Sequence, residues 1–84
     1  MINIFSVSTH KGFGIGTSLI QAIKHYEEHN GKLEDNVQVM VFRAQNAQDI
    51  TFSGGGLEWQ ARNGAQLIIQ LSGLTRIHLS LAMR

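Results

Sequence analysis

The chain has no cysteine and no proline. The first absence excludes disulfides, thiolate metal centres and a cysteine nucleophile. The second leaves strand and helix interiors free of forced breaks. Charge is scarce as well: 15% of residues are charged, seven Lys/Arg against six Asp/Glu, for a net +1. That leaves no polybasic arm for nucleic acid and no acidic tail. Long apolar runs are also missing, and nothing approaches the ~18–20 residues needed to span a bilayer. Met1 to Val7 lacks a basic lead and is interrupted by Asn3 and Ser6, so it does not read as a secretion signal. The expectation is a cytoplasmic protein without membrane contact.

What is present suits one folded domain, residues 1–84, with 43% hydrophobic residues. A chain of this size can lay one helix on one sheet, with little left to wall a catalytic cleft. Few ions remain to cover the outside. A partly apolar or amide-rich surface follows, and with it a protein partner or a homo-oligomer.

Ile2 to Ser8 reads as a strand. Gly12, Gly14 and Gly16 then punctuate a loop, His10 to Thr17. Ser18 and Gln21 have capping-box spacing, and Leu19, Ala22, Ile23 and Tyr26 form one apolar stripe. Asn30-Gly31 ends this helix, Ser18 to Asn30. Val37, Val39 and Val41 alternate with Gln38, Met40 and Phe42, so both faces are apolar and the strand is central. Asp49 to Ser53 and Leu57 to Arg62 follow as strands around the flexible break Ser53-Gly54-Gly55-Gly56. A three-residue loop, Arg62-Asn63-Gly64, pairs Trp59 with Leu67 and Leu57 with Ile69, keeping apolar against apolar. Ala65 to Ser72 then points Leu67, Ile69 and Leu71 inward. Thr75 to Met83 is the last expected strand, with Ile77, Leu79 and Leu81 inward and Arg76 and His78 outward.

The expected fold is α+β: a mainly antiparallel five- or six-stranded sheet with one α-helix packed on one face, in the order β-α-β-β-β-β-β. Its expected core is Ile4, Leu19, Ile23, Tyr26, Val39, Val41, Phe52, Trp59, Leu67, Ile69, Ile77, Leu79 and Leu81.

Candidate chemistry is sparse. Lys11, Gly12, Gly14, Gly16, Thr17 and Ser18 lie between a strand and a helix, where backbone N–H groups can hold an anion. The spacing G-x-G-x-G matches neither the dinucleotide fingerprint nor the Walker loop, so a ligand- or phosphate-binding role stands as the alternative reading. His25-Tyr26-Glu27-Glu28-His29 has the H-x-x-E-H form of inverted zinc peptidases. The match covers five residues, no motif supplies a third ligand, and the ordinary reading is a polar helix end. No metal or cofactor is expected. No nucleophile elbow or ordered Ser/His/Asp set is present, so an enzyme is not expected. The cations are scattered and no aromatic pair is available for stacking bases, so nucleic acid is an unlikely partner.

The best-supported expectation is a protein interface on Gln66, Ile68, Gln70, Arg76 and His78, an amide-rich face with neither Lys nor Glu from Ala65 to Met83. Self-association through a sheet edge or face is a further expectation. Small domains without catalytic motifs are often inhibitors or adaptors, including those carried by phages and other mobile elements. The functional expectation is therefore a non-enzymatic module that occupies a partner's surface.

Overall fold

The computed structural model describes residues 1–82. Over these residues the chain is α+β, with a four-stranded antiparallel sheet, a separate two-stranded sheet and two α-helices. The main sheet has the order β2-β1-β3-β6, built from β1 (Ile2–Thr9), β2 (Gly12–Gly16), β3 (Val37–Ala44) and β6 (Gln66–Leu74). The small sheet pairs β4 (Ile50–Ser53) with β5 (Glu58–Ala61). Helix α1 (Leu19–Asn30) follows β2, and α2 (Arg76–Ala82) follows β6.

Two packing layers result. On one face of the main sheet, Val7, Val37 and Val39 meet Ala22 and Tyr26 of α1, with Leu33 and Leu79 closing the cluster. On the other face Ile4, Met40, Phe42 and Ala44 meet Ile50, with Phe52 and Trp59 of the small sheet packed beside them. The apolar residues on both faces of β3 thus reflect a strand covered from two sides, as the alternation implies.

The glycine segment is a strand and not the expected loop. Gly12, Gly14 and Gly16 alternate on the side facing α1, while β2 pairs with β1 from Phe5↔Gly16 to Thr9↔Gly12. A Cβ at Gly14 would sit 2.3 Å from both the Ala22 carbonyl oxygen and the Tyr26 nitrogen. The missing side chains let α1 lie directly on the strand backbone. Phe13, on the opposite side, stacks 5.7 Å from Phe52.

Helix α1 begins as expected. Ser18 Oγ accepts from the Gln21 N–H at 3.2 Å, and Gln21 Oε1 accepts from the Thr17 N–H at 3.0 Å. It ends at Gly31, whose φ is +82°.

Three expectations need correction. First, β5 and β6 do not form a hairpin. Asn63-Gly64 makes a two-residue turn, with φ +55° and +79° and an Ala65 N–H to Arg62 carbonyl bond of 3.0 Å, but it carries the chain from one sheet to the other. Asp49, buried at the head of β4, holds this corner by accepting from Asn63 Nδ2 at 2.8 Å. Second, residues 76–82 are helical, whereas alternation suggested a strand from Thr75 to Met83. Thr75 Oγ1 accepts from the His78 N–H and His78 Nδ1 accepts from the Thr75 N–H, a reciprocal cap that starts α2. Met83 lies outside the described residues. Third, the expected core is only partly buried. Ile4, Tyr26, Val39 and Leu79 are enclosed, but Ile69, Ile77 and Leu81 are exposed, and Val7, Val37, Met40 and Phe42 take their places.

Candidate functional site

The expected interface residues all fall at one corner, on β6 and α2, but they do not share a face. The register of β6 against β3 shifts between Val41/Phe42, so Ile68 has no partner of its own: Phe42 opposes Leu67 and Val41 opposes Ile69. The strict alternation expected from Ala65 to Ser72 breaks at this bulge. Leu67 joins the core beneath the small sheet, while Ile69 and Leu71 align with Val41 and Val39 on the α1 side. Gln66 pairs with Arg43 and Gln70 with Met40, which places the two glutamines on opposite faces. Arg76 and His78 sit in the first turn of α2, where Asp35 Oδ1 accepts from the Arg76 N–H at 3.2 Å. A second register shift, between Val37/Val39, lies at Ser72-Gly73.

The sheet's width explains why Ile69 and Leu71 are left open. Four strands about 4.8 Å apart span nearly 20 Å, and one helix about 10 Å across covers two of them. Helix α1 packs on β2 and β1. The half of that face over β3 and β6 receives α2 at its Leu74 end, and α2 buries only Leu79 there. Ile69 and Leu71 stay 47% and 50% exposed, and Ile77 and Leu81 on α2 stay 72% and 57% exposed. Ile68 adds another half-exposed apolar side chain at the bulge. β6 is also an edge strand of the main sheet, with β2 at the other edge. No charged residue occurs between Arg62 and Arg76, so this edge lacks the charges and prolines that usually blunt such strands. The sequence does carry a sign of this: three apolar residues in a row, Leu67, Ile68 and Ile69, cannot all point to one face.

Several groups of the alternative site already have partners within the chain. The Ile15 N–H donates to His25 Nδ1 at 3.0 Å, the Thr17 N–H is bound by Gln21, Ser18 caps α1, and Lys11 pairs with Glu34 at 3.2 Å. Gly14 is buried beneath α1. His25 and His29 make an edge-on pair 4.8 Å apart, and His29 Nδ1 lies 3.0 Å from the His25 carbonyl. Among the described residues no three His, Asp or Glu side chains converge as a metal site would require.

One polar hollow, about 240 Å³, lies at the far end of the small-sheet side of the main sheet. Ser8, Gln38 and Ser72 come from three adjacent strands to line it, with Asn36 and His10 at its rim. Ser6 and Ser8 are buried without a partner for either hydroxyl. The sequence places both serines in line with Ile4 on one face of β1, which the alternation alone marks as a polar end to an apolar row.

No known family model, curated protein or solved structure matches the chain.

Proposed function

We propose that this chain is a non-enzymatic protein-binding module that acts by occupying a partner's surface, and that its docking surface is the β6–α2 corner. One observation supports the reading above the others. The α1-side face of β6, at Ile69 and Leu71, is apolar, half-exposed and bounded by an unpaired strand edge. Contiguous apolar surface of this kind on a small domain marks interaction sites. An open edge also offers backbone donors and acceptors for strand addition. The originally expected residues remain part of the surface: Ile68 at the bulge, Gln66 and Gln70 along β6, and Arg76 and His78 at the start of α2. Ile69 and Leu71 supply exposed apolar side chains on β6, and Ile77 and Leu81 on α2.

No helix among the described residues is long and apolar enough to cross a membrane. An inhibitor or adaptor role fits a domain whose most distinctive surface is a docking face.

The test is capture of interacting proteins from the native host with the wild-type chain and with an Ile68→Asp/Arg76→Glu double variant. Both side chains are exposed, so the variant should fold, with an unchanged far-UV spectrum. The expected result is at least a tenfold loss of the captured protein. Undiminished capture by the folded double variant would count against this corner as the docking surface.

A further inference from the structure

We infer that the polar hollow on the small-sheet side of the main sheet is a binding site for a small neutral hydroxylated ring, a monosaccharide or a cyclic polyol. It opens on the face of the sheet opposite Ile69 and Leu71, so this inference and the docking reading stand or fall separately.

Ser8 carries the inference. It is 1% exposed, and among the described residues its hydroxyl has no hydrogen-bond partner. An unpaired buried hydroxyl costs more than an ordinary hydrogen bond returns. Such groups are few in native structures, and each calls for an explanation. Along β1 the row Ile4, Ser6, Ser8 lies opposite Phe42, Met40 and Gln38 of β3. The row thus begins apolar on apolar and ends hydroxyl beside amide. Ser72 of β6 continues this polar end across a third strand. Packing alone would be served better by an apolar side chain at position 8. Hydroxyls and primary amides each donate and accept, which matches a ligand whose own hydroxyls do both.

The rest of the lining narrows the ligand class. No Lys, Arg, Asp or Glu borders the hollow, so a phosphate, a carboxylate, an ammonium or a metal ion would find no counter-charge there. No Phe, Tyr or Trp borders it either, so a nucleobase would have no ring to stack on. Leu57, from the turn before β5, supplies an apolar wall suited to the C–H face of a sugar ring. The volume, about 240 Å³, is below the ~300–1,000 Å³ of pockets for drug-sized ligands, so the hollow suits a single ring.

Amide NMR of the full chain, titrated with D-glucose, D-galactose, N-acetylglucosamine and myo-inositol, tests this. At least one of these probes should move the Ser8, Gln38 and Ser72 signals saturably, with a dissociation constant in the millimolar range expected of so small a contact. Inorganic phosphate and acetate should leave the same signals in place. Ser8→Ala should weaken the binding by about tenfold through loss of one hydrogen bond. Ser72→Leu, at an exposed position, should abolish it by filling the hollow, and it serves if the Ser8 variant fails to fold. The inference is overturned if no probe gives a saturable shift, which would leave Ser8 to an ordered water only. It is overturned equally by phosphate or acetate acting as well as the sugars, or by binding that survives in the folded variants.

Discussion

Replacing Gly14 with alanine should cost about 3 kcal/mol or more, a large part of the ~4–13 kcal/mol available to a domain of this size. A Gly→Ala change at a compatible position normally stabilises by about 0.4–1 kcal/mol, because it restricts the unfolded chain. Gly14 is not among the positive-φ residues, so its conformation alone imposes no penalty on alanine. The penalty comes from space. The new methyl would lie 2.3 Å from two backbone atoms of α1, and backbone cannot rotate away as a side chain can. Relief requires α1 to lift off β2, which exposes Tyr26 and Ala22 together. Gly55→Ala is the control. Gly55 has φ +70° and open space around it, so only the left-handed backbone penalty of about 1–2 kcal/mol applies. Urea denaturation of the two variants should separate them by their midpoints at similar slopes. Equal losses would mean that close approach of α1 to β2 does not decide stability.

Phe42→Ala should be comparably damaging, at about 3–5 kcal/mol. Phe42 has no exposed surface, and its ring meets Phe52 at 5.5 Å and Trp59 at 5.1 Å, both edge-on. These contacts join the main sheet to the small one. Removing the ring forfeits its burial and two aromatic pairings and leaves a cavity between the sheets. The fluorescence of Trp59, the sole tryptophan, should shift to the red as solvent reaches it, giving a local reading beside the global unfolding curve. A folded variant with unchanged tryptophan emission and a loss under about 1 kcal/mol would contradict this packing.

The parts of the fold that were legible in the sequence are those governed by local chemistry. Ser18, Gln21 and Gly31 fix both ends of α1 without reference to any other element. Val37 to Phe42 declares a strand covered on both faces. The expected α+β class and antiparallel pairing rest on these features. The remainder depended on long-range choices. Glycines spaced by two read equally as a flexible loop or as a strand stripped of side chains on one face, and only the position of α1 decides between them. Thr75 to Ala82 alternates like a strand, yet Leu79 with Ile77 and Leu81 on either side also suits a short helix that buries one residue. The reciprocal Thr75–His78 cap favours the helix, and Thr/Ser with His three residues on is a weaker signal than the Ser–Gln pair of α1. The bulge at Ile68 had the largest consequence for the site. The one-residue slip sent Leu67 to the small-sheet side and left Ile69 and Leu71 on the helix side, where α1 does not reach them.

The central claim is that the α1-side face of β6, at Ile69 and Leu71, is left uncovered by the described residues. Methyl NMR with a soluble paramagnetic agent tests it most directly. Strong relaxation of the Ile69 and Leu71 methyls, with those of Val7, Val37 and Val39 sheltered, is the result this account predicts. Methyls of Ile69 and Leu71 as sheltered as that of Val37 would show the face closed by the chain itself, and would contradict it.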